Sequence, residues 1–115
     1  PFIRASSISK GICAVKNEGY DSCVAVEKMQ EFLWKDGIPL NYDIKNIPRT
    51  QDLTPYYKET CGMYIYDRDT IKKKKRRIGD NPFLMEVSKI ESVDINTLED
   101  FMMADIAREY IEKDD

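Results

Sequence analysis

The sequence SVDINTLEDF, at residues 92–101, joins a short β-branched run to the start of a helical pattern. A strand that leads into a helix brings backbone N–H groups, the positive end of the helix dipole and outward-pointing side chains to one place. Asp94 and Asn96 are two residues apart, so on a strand their side chains point to the same side and can ligate one cation. The junction therefore predicts a metal or phosphate site.

The same residues also fit an ordinary helix N-terminus. Asn96 or Thr97 is the candidate N-cap, and Glu99 or Asp100 would close a capping box. The cation site and the helix cap use the same residue types, and both interpretations stay open from this segment alone.

The composition limits the chemistry that this chain can perform. Its 115 residues, 42% hydrophobic and 34% charged, are those of one globular domain or part of one. The chain has no histidine, which excludes Ser-His and Cys-His catalysis and most zinc sites. The three cysteines are an odd number at wide spacing, which favours reduced thiols and a cytoplasmic location. No apolar run approaches the ~20 residues of a membrane span, so we expect no membrane association.

The formal net charge of −3 argues against general binding of nucleic acid, although residues 72–77 are six consecutive cations. A solvated loop and a phosphate-binding patch both fit this basic run, which lacks the interleaved aromatic residues of single-strand binders. Arg76 and Arg77 are of special interest because a guanidinium group binds a carboxylate or phosphate with two hydrogen bonds. The Arg49-Thr50-Gln51 triplet has similar potential, or Arg49 pairs with a nearby acid.

Periodicity and turn signals predict an α/β fold of mixed element order. The segment 46–55 contains two prolines and is expected to be irregular. The Asp36-Gly37 pair predicts a hairpin turn, and the last helix carries an apolar stripe that we expect to face the core. The predicted elements are a helix at 5–15 capped by Ser6 or Ser7, strands at 22–26, 31–34, 61–66 and 83–87, and helices at 67–73 and 98–112.

Four ordered segments resemble successive motifs of the acylneuraminate (CMP-sialic acid synthetase-type) cytidylyltransferases. These are PRTQDL at 48–53, ETCGMYIY at 59–66, RRIGDNP at 76–82 and SVDINTLEDF at 92–101. The resemblance implies the C-terminal portion of a nucleotide-diphospho-sugar transferase (Rossmann-like) fold with a protruding dimerisation hairpin. Residues 1–115 would form a single incomplete domain, and residues 27–58 would form the dimerisation arm.

The resemblance implies transfer of CMP from CTP to an acidic sugar of the nonulosonic acid type, with Mg²⁺ and release of pyrophosphate. Asp94 and Asn96 fall on the metal-binding Asp-x-Asp of the family, and the asparagine departs from that pattern. Arg76 and Arg77 stand where some members carry aromatic residues, so the sugar itself does not carry over. The implied substrate-binding residues are Arg49, Gln51, Thr60, Tyr64, Lys35, Arg76 and Arg77.

The family's Gly- and Lys-rich nucleotide loop has no counterpart, since this sequence contains no Gly-Gly or Gly-x-Gly. We therefore expect activity only as part of a longer homodimeric enzyme that supplies the CTP site. The alternative is a non-catalytic, truncated or diverged copy that acts as a dimerisation module. A nucleic-acid binder that uses the basic run is a third hypothesis.

Overall fold

The computed structural model of the protein describes residues 1–114, with side chains through Glu112. It is a mixed α/β domain with three helices, a small mixed sheet and a β-hairpin, which confirms the expected α/β class. The elements are α1 (Ala5–Asn17), β1 (Ser22–Met29), β2 (Trp34–Lys35), β3 (Ile38–Pro39), β4 (Tyr56–Tyr66), α2 (Arg68–Lys74), β5 (Pro82–Glu86) and α3 (Leu98–Asp114), with a short 3₁₀ helix at Thr50–Asp52.

The chain divides into two compact units. The first contains Pro1–Glu27 and the chain from Glu59 onward, and the second is Lys28–Lys58. The second unit covers nearly the same residues as the predicted arm at 27–58, and the assignment of this segment as a dimerisation arm stays a prediction.

The sheet has the strand order β4-β1-β5, and β1 runs parallel to β5 from the pair Ser22 and Pro82 to the pair Val26 and Glu86. Parallel strands are usually covered on their faces, and β1 is accordingly buried over its first five residues, all apolar except Ser22. The core cluster of the first unit consists of Cys23, Ala25, Met63, Met85 and Val87.

Helix α1 lies close to the sheet because Gly11 has no side chain. A Cβ atom at Gly11 would lie 2.7 Å from Cδ1 of Ile65 and 3.1 Å from Sγ of Cys23. The predicted cap at Ser6 or Ser7 is wrong, since the N-cap is Arg4 and its side chain makes no capping bond. The buried carboxylate of Glu91 instead accepts hydrogen bonds from the backbone N–H of Arg4 and the hydroxyl of Ser7.

The second unit contains the predicted hairpin turn. Asp36 and Gly37 have φ angles of 53° and 77°, as a type I′ turn requires. The turn pairs Lys35 with Ile38 and Trp34 with Pro39 in an antiparallel register. After the hairpin, the side chain of Asn41 bonds the backbone of Leu33, Glu31 and Thr54, which orders the irregular part of the unit.

The strand expected before α3 does not form. Residues 89–92 are a turn, and residues 93–95 lie outside the sheet. The cause is a local network in which the Oγ atom of Ser88 accepts from the N–H of Glu91, while the N–H of Ser92 donates to the carbonyl of Ser88. These bonds close the turn and keep the β-branched residues away from the edge of β5.

The prediction that the stripe on α3 faces the core is also wrong. Phe101, Met102, Ile106 and Tyr110 are 56%, 59%, 69% and 61% exposed, and Ala104 is buried in their place. Helical periodicity correctly located the helix, but both of its faces carry apolar residues, so the pattern did not identify the buried face. Among the described residues, no helix is long and apolar enough to cross a membrane.

Candidate functional site

The residues predicted to bind substrate or metal divide between the two units. Lys35, Arg49 and Gln51 lie in the second unit, and Thr60, Tyr64, Arg76, Arg77, Asp94 and Asn96 lie in the first.

In the second unit, all three predicted residues are exposed. Lys35 ends β2 next to the hairpin turn, and Gln51 lies in the 3₁₀ helix, where its carbonyl accepts from the side chain of Gln30 at 2.8 Å. The Nε atom of Arg49 donates to Oδ2 of Asp52 at 2.9 Å, so the structural pairing considered for Arg49 is present. No described residue forms a salt bridge with the terminal nitrogens of this guanidinium, which leaves them open to an anion on the described part of the chain.

Strand β4 has a bulge at Cys61 and Gly62. In a regular strand the residues of one side are two apart, but here the buried side chains of Thr60 and Met63 are three residues apart. Cys61 has a φ of 58°, a left-handed conformation that is uncommon for a residue with a side chain. Oγ1 of Thr60 donates to the carbonyl of Ala25 at 3.2 Å and accepts from the N–H of Gly62 at 3.3 Å. Thr60 therefore uses its hydroxyl hydrogen within the protein, and a sugar contact from it stays a prediction.

Tyr64 and Arg77, which belong to different sequence motifs, lie against each other. The guanidinium carbon of Arg77 is 4.4 Å from the centre of the Tyr64 ring, a cation–π contact. The phenol donates to Oε2 of Glu59 at 2.9 Å, and this bond, with a second to Cys61, raises the pKa of Tyr64 to about 12. The phenol therefore stays neutral at physiological pH, and the ring holds an exposed guanidinium in one orientation.

Sequence reasoning missed Glu59 and Cys61 as neighbours of Tyr64. A strict two-residue alternation along β4 would place Tyr64 on the buried side with Thr60, and the bulge changes which side chains meet. Gly62 was an available signal, because a glycine inside a strand often marks a bulge.

Arg76 does not act together with Arg77. Its guanidinium forms an ion pair with Asp80, whose other carboxylate oxygen is 2.7 Å from Nζ of Lys74. Lys74, and then Arg76, lower the pKa of Asp80. The two neighbouring arginines thus point to different partners, and Arg77 is the one without a carboxylate partner among the described residues.

Asp21 anchors the loop that follows the basic run. Its carboxylate accepts from the backbone N–H groups of Asp80 and Asn81 at 2.8 and 3.1 Å and from the hydroxyl of Ser22. Burial raises the pKa of Asp21, but these hydrogen bonds outweigh burial and the pKa is lowered. The loop approaches so closely that a Cβ at Gly79 would lie 2.2 Å from Oδ2 of Asp21.

Asp94 and Asn96 meet at the start of α3, where Nδ2 of Asn96 donates to Oδ2 of Asp94 at 2.9 Å. The capping interpretation of this junction is confirmed. Oγ1 of Thr97 accepts from the N–H of Asp100 at 3.1 Å, and Oδ2 of Asp100 accepts from the N–H groups of Asn96 and Thr97. Thr97 and Asp100 therefore form the capping box and leave Asp94 exposed beside it.

The donor set at Asp94 fits one mode of Mg²⁺ binding. Within residues 1–114, no group of three or more Asp, Glu, Cys or His side chains is arranged to hold a metal ion. Mg²⁺ is often held by only one or two carboxylates together with waters and substrate phosphates. Asp94 fits this arrangement as the single carboxylate, whereas the amide nitrogen of Asn96, and not its oxygen, faces Asp94.

No protein-family model matches this chain, and no curated protein sequence matches it significantly.

Proposed function

We propose that this chain is the C-terminal part of a cytidylyltransferase that transfers CMP from CTP to an acidic sugar of the nonulosonic acid type. The proposal includes the finer fold assignment, in which the α/β domain is part of a Rossmann-like nucleotide-diphospho-sugar transferase. The four ordered motifs in the sequence support both statements.

The observation that carries the proposal is the contact between Tyr64 and Arg77. A guanidinium fixed over an aromatic ring keeps its N–H edge free for a carboxylate, and it loses little conformational freedom when the ligand binds. An acidic sugar offers that carboxylate next to hydroxyl groups. Arg77 would orient the sugar, and Arg49, Gln51, Lys35, Thr60 and Arg76 remain further proposed contacts.

Asp94 and Asn96 would hold Mg²⁺ together with phosphate oxygens of CTP. When bound, the ion neutralises charge on the phosphates and on the departing pyrophosphate. The protein's own contribution is positioning, because the capping box fixes the backbone next to Asp94.

Nucleotidyl transfer depends mainly on positioning and charge stabilisation, so activity would require a CTP-binding segment in addition to these 115 residues. The direct test measures CMP-sugar formation with CTP, Mg²⁺ and a panel of acidic sugars. It compares this chain with the longest protein that the same reading frame encodes. Product from the longer chain supports the proposal. A longer chain that forms no CMP-sugar with any nonulosonic acid contradicts it.

Arg77 offers a sharper test of the sugar site. Arg77→Lys keeps the charge but loses the planar fork, and we expect a rise in the KM for the sugar of at least about tenfold, the equivalent of 1.4 kcal/mol, with little change in the KM for CTP. Arg68→Lys, on exposed α2, is the matched control and should leave both values unchanged. Equal effects of the two substitutions would remove Arg77 from the sugar site.

A substitution at Asn96 tests the metal site through an expected gain in Mg²⁺ affinity. Asn96→Asp restores a second carboxylate and should tighten Mg²⁺ binding, measured by calorimetry in the presence of CTP, whereas Asp94→Ala should weaken it. If Asp94→Ala leaves both Mg²⁺ binding and turnover unchanged, Asp94 is not a ligand, and if Asn96→Asp also leaves Mg²⁺ binding unchanged, the proposed metal site is contradicted.

The alternative function is a non-catalytic dimerisation module. The second unit favours it, since Trp34, Ile38, Ile44 and Ile47 are each more than half exposed on a segment of 31 residues. Sedimentation and calorimetry with Mg²⁺ and CTP separate the two functions. The module is supported if this chain forms a homodimer and the longest protein that its reading frame encodes neither binds nucleotide nor forms CMP-sugar.

A further inference from the structure

Glu59 holds the aromatic side of the contact between Tyr64 and Arg77. The phenol of Tyr64 donates to Oε2 of Glu59 at 2.9 Å, and the centre of the same ring is 4.4 Å from the guanidinium carbon of Arg77. Because the O–H bond of a phenol lies close to the plane of its ring, an acceptor at a fixed place sets both the position of the phenol oxygen and the tilt of the ring. Glu59 therefore acts on the guanidinium through the ring, to which the cation is attracted.

The bulge in β4 makes this arrangement possible. Glu59 and Tyr64 are five residues apart, and an odd separation places two side chains on opposite sides of a regular strand. The additional residue at the bulge, where Cys61 has a φ of 58°, brings them to the same side, opposite the buried Thr60. A carboxylate and a phenol that a regular strand would separate are thus in contact.

The bond between the phenol and the carboxylate is present at physiological pH. The hydrogen bond to Glu59, and then the one to Cys61, raises the pKa of Tyr64 to about 12, so the phenol keeps the proton that it donates. A carboxylate acceptor makes this bond charge-assisted and stronger than a bond between two neutral groups.

Other groups hold the backbone around Arg77. Before it, the N–H of Lys75 donates to the carbonyl of Ile71 at the end of α2, at 3.0 Å. After it, the N–H of Gly79 donates to Oγ of the buried Ser22, also at 3.0 Å. Loss of the carboxylate on β4 should therefore free the guanidinium and leave the loop that carries it in place.

We propose that Glu59 is a positioning residue for the acidic sugar, because it orients Arg77 through Tyr64. This inference rests on the proposed function. An oriented guanidinium meets the sugar carboxylate with two parallel hydrogen bonds and loses less conformational freedom on binding than a mobile one. Loss of Glu59 should weaken sugar binding without changing the chemical step, so that KM for the sugar rises while kcat stays the same.

NMR spectroscopy of this chain tests the orientation of Arg77 without any substrate. The ring current of Tyr64 should shift the δ-proton signal of Arg77 upfield, and the loss of this signal in Arg77→Lys assigns it. Glu59→Ala should move the signal toward those of arginines that lie over no ring, whereas Glu59→Gln keeps an acceptor oxygen and should retain most of the shift. Glu86→Ala, at an exposed glutamate on β5, is the matched control and should leave the signal unchanged.

Kinetics of the longest protein that the same reading frame encodes test the effect on the sugar. Glu59→Ala should raise the KM for the acidic sugar about fivefold, with kcat and the KM for CTP unchanged. Tyr64→Phe keeps the ring but loses the donor, so it should have the same effect. The double variant Glu59→Ala/Tyr64→Phe should be no worse than either single variant, because both substitutions remove the same hydrogen bond. Glu59→Gln should keep most of the affinity for the sugar.

Three results would overturn the positioning role and leave the proposed function intact. They are an Arg77 signal that is the same in Glu59→Ala as in the unaltered chain, a glutamine variant as impaired as the alanine variant, and effects of Glu59→Ala and Tyr64→Phe that multiply in the double variant. A longer protein that forms no CMP-sugar instead contradicts the proposed function and removes the sugar from this role. The NMR spectrum distinguishes the two failures, because it needs no sugar.

Discussion

At the scale of single residues, Glu91 shows how one buried carboxylate can replace a missing helix cap. It is 7% exposed and accepts hydrogen bonds from the hydroxyl of Ser7 at 2.6 Å, the backbone N–H of Arg4 and both polar groups of Ser88. Burial raises the pKa of Glu91, but the bonds from Ser7, Arg4 and Ser88 outweigh burial and lower it. The negative charge is therefore stabilised at the N-terminus of α1, where the helix dipole also favours it.

Glu91→Gln should lower the free energy of unfolding by about 2 kcal/mol at neutral pH, because the amide puts a donor against groups that donate. Since the folded pKa of Glu91 is depressed, its stabilisation is present above the ordinary glutamate pKa of about 4.3 and is lost as the pH falls through the folded value. Urea denaturation from pH 7 to pH 3 should therefore show the two proteins converging in acid. Glu18→Gln, at an exposed glutamate, should have little effect, and an equal loss in both variants would contradict this role.

At the scale of secondary-structure elements, α3 begins at a capping box that the sequence predicted. Thr97→Ala removes the acceptor for the N–H of Asp100 and should cost about 1 kcal/mol of unfolding free energy. Thr97→Ser keeps the hydroxyl and should retain most of the stability. Urea denaturation followed at 222 nm measures both, and a serine variant as unstable as the alanine variant would show that the methyl group, not the hydroxyl, matters.

Elements governed by local chemistry were predictable. The hairpin at Asp36-Gly37 follows from two residues that tolerate positive φ, and α2 begins at Asp67, whose carboxylate accepts from the N–H of Thr70 at 2.7 Å. The buried side of α3 was not predictable. Apolar residues occur around most of that helix, and only its packing neighbours determine that Ala104 is the buried one.

The candidate site likewise has one part that the sequence predicted and another part that it did not. Asp94 and Asn96 were predicted to lie side by side, and they do, although in a loop before α3 and not on a strand. The contact between Tyr64 and Arg77 joins residues 13 positions apart and depends on the bulge at Cys61. No local pattern contains that information, because the bulge shifts which side chains of β4 share a side.

At the scale of the whole molecule, the three cysteines report on different parts of the fold. Cys13 and Cys61 are exposed, whereas Cys23 is fully buried in β1 within the core cluster of the first unit. Burial raises the pKa of the Cys23 thiol, so this group is both inaccessible and protonated near neutral pH. Reaction of Cys23 therefore requires opening of the sheet.

A thiol reagent added to the native protein should label two cysteines quickly and the third only when the protein unfolds. Increasing urea should accelerate the slow phase in parallel with the unfolding measured by circular dichroism, because β1 pairs with both neighbouring strands. Cys23→Ala should abolish the slow phase, and Cys13→Ala should remove only one fast equivalent. Three fast equivalents in the native protein would show that the core around β1 opens locally, without loss of the rest of the fold.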